Sequence, residues 1–332
     1  MANVTQSSMA DAIKTQYETR LLSRAKTRLI HARWATKANL NKHGSYEVRK
    51  YGSLASVTSP LVEGTTPSEQ AAPSISKVTM TPLFYGAWMG YTDEVEMTAM
   101  DPLVLEVSGI LGDQCGLSAD TIVRDVLVAG ATIDYSGNRA ARTDLTSGID
   151  DISYADFVKQ IAALEYASAL PMEGERFICI ISPHSWATLM QDPTFVALFV
   201  RADATSAIRT GYVGTILRCD VYVTANAKEF VDGGASSADV YSALFLGRES
   251  FGAVGMSGGM PSDVDMAGPN GGPLTGKDVR PVKIILKPIG SAGADDPLDQ
   301  RGTIAWKMDL DVDVLNADWI RSLEHTNEFS AD

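Results

Sequence analysis

Residues 76–91 (SKVTMTPLFYGAWMGY) read as an extended strand with apolar side chains on both faces. Val78, Met80, Phe84 and Trp88 fall on one side; Leu83, Tyr85, Met89 and Tyr91 fall on the other. The predicted partner is the strand at 45–51 (SYEVRKY). Residues 53–74 join the two, punctuated by Pro60, Gly64, Pro67 and Pro73. The result is a hairpin with a long, loose tip. A two-stranded hairpin cannot bury two apolar faces against itself. Leaving such side chains in water forfeits roughly 1.5–3 kcal/mol each. A domain of the chain or a neighbouring subunit must therefore cover the ribbon.

Two long elements add a constraint of shape. Residues 101–130 predict a long helix, with Asp101 as cap, Pro102 in the first turn and Gly130 at the end. Gly109, Gly112 and Gly116 lie on one stripe of it. Each costs about 1 kcal/mol against Ala in a helix interior. Either another backbone approaches closely along that stripe, or the helix is kinked there. Residues 303–315 (TIAWKMDLDVDVL) alternate as a strand. Ile304, Trp306, Met308, Leu310, Val312 and Val314 face one way, and Lys307, Asp309, Asp311 and Asp313 face the other. Twelve or so residues extend about 40 Å, which implies an elongated shape. The acidic face reads as a solvated surface that repels edge pairing, or as a weaker candidate for a divalent cation.

Between these elements lies a mixed α/β region. Residues 153–168 predict an amphipathic helix burying Phe157, Ile161 and Leu164. Residues 177–182 (FICIIS) read as a fully buried strand, and Ser182-Pro183 as a helix start. Asp192-Pro193 repeats that device. Further strands are predicted at 218–226, 240–247 and 280–290, with a Gly/Pro-rich connector over 255–276.

Charge is divided. Residues 1–50 carry ten Lys/Arg against three Asp/Glu, a balance of +7. The remainder carries 18 against 38, a balance of −20. Most of such a surface repels nucleic acid, which argues against sequence-specific DNA reading. Residues 9–35 predict a basic amphipathic helix, with Arg20, Arg24 and Arg28 beside a thin apolar stripe. Its basic face is solvated, or meets phosphate, or meets the acidic body of another copy; the apolar face is too thin for a membrane surface. No apolar run reaches the ~18–20 residues of a membrane span, and no secretory leader is visible. Cys115, Cys179 and Cys219 are odd in number and far apart, so they read as reduced thiols.

Catalytic and metal constellations fail one by one. His31, His43, His184 and His325 are scattered, without ligand spacing. His184-Ser185 has no nucleophile elbow around it and reads as a helix start. Gly271, Gly276 and Lys277 imitate a phosphate loop, but Asp278 stands where Ser/Thr is required and Pro273 interrupts the loop. The expectation is no enzyme and no cofactor.

The order of parts runs basic arm, hairpin, long helix, α/β lobe, returning strands. It resembles the Hong Kong 97-like capsid fold of tailed-bacteriophage major capsid proteins, in particular the podophage-type family. Five stretches carry the likeness: PLVEGTTP (60–67), RDVLVAG (124–130), FICIISPHSWATLMQDP (177–193), TGYVGTILRCDVYVT (210–224) and DPLDQRGTIAWKMDLDVDVLNADWIRSLEH (296–325). The resemblance implies an α+β fold with an N-arm at 1–40, an E-loop hairpin at 41–98 and a spine helix with the first part of the P-domain at 99–149. An A-domain at 150–265 and P-domain return strands with a tail at 266–332 complete it.

It further implies a self-assembling icosahedral shell around double-stranded DNA, built from pentamers and hexamers in the host cytoplasm. Portal and scaffolding proteins are the expected partners, with decoration proteins as a further class; the DNA contact is non-specific and no membrane is involved. About forty residues before the hairpin leave no room for a cleaved scaffolding segment, so a separate scaffolding protein is expected. No cross-linking residue set carries over. Subunit contacts are expected from Leu83, Phe84, Tyr85, Trp88, Glu63 and Thr66 on the E-loop. The N-arm contributes Arg20, Arg24, Arg28 and Arg33, placed on acidic neighbours such as a helix carrying Asp113, Asp120 and Asp125. A capsomer-axis loop contributes Arg201, Arg209 and Tyr212. Two other classes share parts of this reading: an encapsulin-like cargo shell, and a soluble enzyme whose site the sequence hides.

Overall fold

A computed structural model describes residues 21, 24–25, 28–39, 45–52, 54, 56–66, 69–70, 72–98, 103–172, 175–195, 212–216, 218–255, 282–291 and 296–328. Leu21, Arg24, Ala25 and Arg28 are helical, and a 3-10 turn follows at Ala32–Trp34. The predicted helix over 9–35 is therefore replaced after Arg28 by an irregular stretch and that turn, and strand β1 (Thr36–Asn39) follows it. Strand β2 (Tyr46–Tyr51) pairs antiparallel with β3 (Ile75–Met80), with Val48 opposite Val78, as the hairpin reading expects.

The reading of 76–91 as one strand is corrected at Thr81-Pro82. Proline has no N–H for the ladder. The Thr81 N–H leaves it to donate to Asp311 Oδ2 at 2.6 Å. The chain restarts as β4 (Leu83–Thr92), which pairs not with the hairpin but with the C-terminal strand β13 (Arg301–Val314), from Leu83 opposite Leu310 to Thr92 opposite Arg301. Leu83, Phe84, Tyr85 and Trp88 thus stand on a sheet strand beyond the hairpin.

A short helix α1 (Asp93–Thr98) leads to the long helix α2 (Leu103–Gly130), 28 residues ending at the expected glycine. After β5 (Thr132–Tyr135) comes α3 (Tyr154–Tyr166), where the Ser153 side chain caps by accepting from the Asp156 N–H. Strand β6 (Phe177–Ile181) runs into α4 (Pro183–Leu189), capped by Ser182 with proline in the first turn. Then follow β7 (Tyr212–Ile216), β8 (Cys219–Val223), β9 (Glu229–Phe230), β10 (Val240–Leu246), β11 (Phe251–Gly255), β12 (Val282–Lys287), β13 and β14 (Ile320–His325). Strands β1, β5, β7, β9, β11 and β14 lie outside the strands that the sequence predicts; they are short and lack a clean alternation.

The strands form two large sheets. One runs β1-β11-β13-β12, with β4 also on β13; the other runs β5-β14-β10-β6-β8-β7, with β9 on β10. Strand β13 is interior, paired with β12 along one edge and β4 along the other. The expectation that its acidic face guards an edge is corrected: the neighbours guard it. Asp309 is buried, and Asp311 serves the Thr81 corner.

Helix α2 lies between the sheets. Val107, Leu111, Cys115, Val123 and Leu127 meet Trp306, Met308, Leu310 and Val312 of β13 and also Ile178, Ile180, Leu244 and Leu246 of the second sheet. The opposite face of that second sheet packs Cys179, Ile181, Phe245 and Leu323 against Phe157, Ile161 and Leu164 of α3. Strands β6 and β10 are buried throughout because each of their faces belongs to a different core.

Candidate assembly surfaces

The glycine stripe of α2 is a seat for the N-terminal leader. A Cβ on Gly112 would stand 2.5 Å from the Leu21 carbonyl oxygen and 2.9 Å from its Cα. On Gly116 it would stand 2.8 Å from the Ala25 Cα and closer still to that residue's carbonyl oxygen. Ordinary carbon contacts are ~3.5–4.0 Å, so only glycine admits the leader backbone here. Of the two readings of this stripe, close approach is the one realised. Gly109 differs, since the nearest atoms to a Cβ there belong to the Arg24 side chain rather than to backbone.

Charge fixes the leader's register on the helix. Arg24 and Arg28 pair with the two oxygens of Asp113 at 3.3 and 3.5 Å. About two turns further along, the buried Asp120 closes the contact. Its Oδ1 accepts the N–H groups of Ile30, His31 and Ala32 at 2.8, 2.7 and 3.3 Å. Its Oδ2 meets His31 Nδ1 at 2.8 Å and accepts from the Asn226 amide at 3.0 Å. Burial pushes the Asp120 carboxyl up, but the His31 hydrogen bond and charge, the Asn226 amide and the Ala32 N–H outweigh it and hold the pKa below its usual value. Asp125, beside it on the exposed side, is likewise held low: burial raises it, and Arg124 and Lys228 more than offset that.

These pairs form within one chain. The helix that carries Asp113 and Asp120 here is that of the same subunit. Arg33 is exposed, 5.3 Å from the Trp34 ring centroid. Arg20 lies outside the described residues.

The second surface is apolar and uncovered in the subunit. At the hairpin tip, Leu54, Val57, Leu61 and Val62 are exposed, with Leu61 at 79%. A turn in which Gly64 has φ +76° and the Thr65 N–H donates to the Val62 carbonyl presents Glu63 and Thr66 to solvent. On β4 the two faces part company. Tyr85, Ala87 and Tyr91 pack against the core of the first sheet, whereas Phe84 and Trp88 stay 49% and 72% exposed. Tyr85 is thus turned inward, a correction to its grouping with Phe84 and Trp88. Lys307 Nζ sits 4.1 Å from the Phe84 ring centroid.

The third expected surface, the axis loop, falls mostly elsewhere. Arg201 and Arg209 lie outside the described residues, and Tyr212 opens β7, where only the backbone is described. The connector at 256–281, including the imitation phosphate loop, also lies outside them.

Sequence reading missed the buried polar knot at the end of the second sheet. Arg142 donates through Nε and Nη2 to both oxygens of the buried Glu324, at 2.7 and 2.6 Å. Ser242 and Ser322 hydrogen-bond across β10 and β14 at 2.8 Å. Next to them, burial pushes the His325 pKa down to about 4, against the pull of Asp151 and Asp156. A lone Glu or His in a short strand gives no signal for such a cluster. His184 and Ser185 take their places at the α4 start, where the Ser185 N–H donates to the Ser182 cap. All three cysteines are buried and free, and burial pushes Cys115 up to about 12 and Cys179 well above its usual value. Among the described residues no group of His, Cys, Asp or Glu is arranged to hold a metal, and no helix is long and apolar enough to cross a membrane.

A family model described as phage capsid protein matches residues 77–321. No curated protein matches by sequence. Among solved structures, the capsid of Ralstonia phage GP4 aligns over 90% of this chain and 88% of its own, with TM-score 0.64 and 14% identity. The cyanophage Pam1 capsid aligns over 92% and 93%, with TM-score 0.65 and 10% identity. The capsid of a native GTA particle, computed with C5 symmetry, aligns over 91% and 90%, with TM-score 0.55 and 11% identity. The mixed α/β architecture of this chain is that of Hong Kong 97-type capsids.

Proposed function

The chain belongs to the phage capsid protein family, and from that membership we propose how its parts divide the work of building a head. It is a major capsid protein, a structural and non-enzymatic component of the virion that forms the icosahedral shell. It acts as an oligomer. The finer assignments that follow are our reading.

The single observation that carries them is the apolar surface that the subunit leaves in water, at the hairpin tip and on the outer face of β4. Each exposed side chain of this size gains roughly 1.5–3 kcal/mol on burial. A contact of one chain's tip with a different surface of the next is heterologous, and a heterologous contact whose rotation closes builds rings. Fivefold and sixfold capsomers are such rings. In this reading the segment at 41–98 is the E-loop, with the β2–β3 hairpin as its protruding part, and Leu61, Val62, Glu63 and Thr66 reach across the adjacent subunit. The α2 region at 99–149 is the spine and the start of the P-domain, 150–265 is the A-domain, and 266–332 returns to the P-domain. Arg201, Arg209 and Tyr212 face the capsomer axis. The leader at 1–40 is the N-arm: it braces its own subunit through Leu21, Arg24, Ala25 and Arg28, and Arg20 and Arg33 are assigned to contact with a neighbour or with DNA phosphate.

The acidic balance outside the leader keeps the shell from gripping packaged double-stranded DNA, since like charge excludes it. Portal and scaffolding proteins complete the set of partners. Replacing Leu61 and Val62 by Asp tests the assignment. The double variant is expected to fold with an unchanged melting temperature, because both residues are exposed, yet to give no closed shells by electron microscopy. Normal particles from it would remove the tip from the assembly contact.

A further inference from the structure

We propose that the cavity at the base of the β2–β3 hairpin is the socket for the hairpin tip of an adjacent copy, which inserts Leu61 and Val62 and sets Glu63 against Lys50. The inference rests on the shell reading and deepens it by naming what the tip binds.

The cavity has a volume of about 290 Å³. One wall is the hairpin itself. Val48 stands opposite Val78 and Tyr46 opposite Met80, so the four side chains share a face. The other wall is the body, where Leu315 and Trp319 lie between β13 and β14. Met80 joins the two walls at the bottom: it is buried, and its Cε is 3.2 Å from where a Cβ on Gly252 would stand. Above it Val48, Val78, Leu315 and Trp319 are only half-buried. The fold thus builds an apolar slot that no described side chain of the subunit fills. An apolar cavity of ~150 Å³ holds one benzene molecule, so a slot of about twice that volume accommodates two branched aliphatic side chains.

Charge at the rim selects the occupant. Arg49 already meets Glu47 at 3.8 Å, and Glu249 meets Arg248 at 3.6 Å. Lys50 is exposed on the same rim and has no carboxylate partner among the described residues. At the tip Glu63 is exposed and equally lacks a cation among them. Such a pair adds little affinity in water, but it fixes register and rejects wrong partners. Leu54 and Val57, also exposed on the hairpin, have only Ser, Ala and Thr beside them. In Leu61-Val62-Glu63, by contrast, two exposed branched side chains adjoin an acid. The Thr65 N–H bond to the Val62 carbonyl closes the turn that presents them.

Plug and socket belong to the two ends of one hairpin. Leu61 lies thirteen residues beyond Val48, so the tip reaches at most about 45 Å from its own socket. Sockets of adjacent copies then stand no further apart than that. Each copy offers one plug and one socket, so the contact is heterologous and runs around a ring without leaving an end unfilled.

The test is disulfide trapping in assembled particles under mild oxidation. Val62→Cys is combined with Val48→Cys on one wall and, separately, with Leu315→Cys on the other, because a disulfide spans Cα distances of only ~4.4–6.8 Å. The native cysteines are buried and do not compete. At least one pair is expected to give a ladder of covalent oligomers up to five or six chains on non-reducing gels, and the single variants only monomers. A ladder from Leu54→Cys/Val48→Cys in its place would overturn Leu61 and Val62 as the plug. An internally bridged monomer would overturn the second copy as the occupant, since the tip would then fill its own slot. Charge exchange serves if the cysteine variants do not fold, because Lys50 and Glu63 are both exposed. The pair recurs at every contact of the ring, so Lys50→Glu and Glu63→Lys are each expected to cut particle yield at least tenfold at low salt, and the double variant to restore it. A double variant no better than the single ones would overturn the pairing. Intact shells with no ladder and undiminished yield from either charge variant would overturn the socket and leave the shell reading standing. Failure of the unaltered chain to form any particle would overturn both.

Discussion

Replacing Gly116 by Ala puts the leader's seat to a test in which two effects have opposite sign. Alanine favours an interior helical position over glycine by about 1 kcal/mol, so an isolated α2 would gain. Against that, the new methyl would stand 2.8 Å from the Ala25 Cα and 2.9 Å from its carbonyl carbon. Both are backbone atoms and cannot rotate away. The leader must lift by about 1 Å to restore ordinary contact. Overpacking of this kind costs ~1–3 kcal/mol. The ceiling is full detachment, which would expose Leu21 and Leu29, now 0% and 7% exposed, at roughly 1.5–3 kcal/mol each. It would also strip Asp120 of its three backbone donors. We expect a net loss of about 1–2 kcal/mol in the urea unfolding of unassembled subunits, with faster proteolysis near residue 28. Gly109→Ala is the internal control. There the atoms nearest the methyl belong to the flexible Arg24 side chain, at 3.2 Å, so the helix gain survives and stability rises by up to ~1 kcal/mol. If both variants shift the midpoint upward together, α2 does not seat a backbone and the argument from the stripe fails.

Three further outcomes follow from the same geometry. The His325 side chain refuses a proton in the folded state until about pH 4, whereas the unfolded chain accepts one near pH 6.5. Its stabilising effect is therefore complete above that upper value and declines by about 3 kcal/mol as pH falls toward 4. His325→Gln should flatten that slope in pH-dependent melting, and an unchanged slope would exclude His325 as its source. Asp120, held low, adds to acid lability below the usual carboxylate range, since its stabilising effect is lost as the carboxyl protonates. Arg142→Ala strands the buried carboxylate of Glu324 and should cost ~3–5 kcal/mol in urea unfolding, far more than Arg142→Ala/Glu324→Leu together. By contrast, Arg24→Gln/Arg28→Gln should cost under about 2 kcal/mol, because exposed pairs give ~0.2–1 kcal/mol each, and the deficit should vanish near 1 M salt.

What the chain of residues determines by itself is local and periodic. The helix over 153–168, the cap at Ser182, the buried run FICII, the strand at 240–247, the alternation of 303–315, the end of α2 at Gly130 and the need to cover the 76–91 ribbon all lie in nearest-neighbour chemistry. They stand where the sequence places them. The glycines at 112 and 116 announce that a backbone comes close, but not whose. Which segment arrives, and from which copy, depends on contacts some ninety residues apart, and only the folded chain brings Leu21 and Ala25 onto that stripe. The same distance hides the rest. Pro82 breaks the ribbon, and β13, more than two hundred residues onward, captures its second half; that pairing turns Tyr85 inward and leaves Phe84 and Trp88 out. Asp120, His31 and Asn226 are unremarkable until three separate elements converge and water is excluded between them. Periodicity encodes which face of an element is apolar. Only the tertiary arrangement fixes which partner covers that face, because pairing energy is summed over the whole fold rather than along the strand.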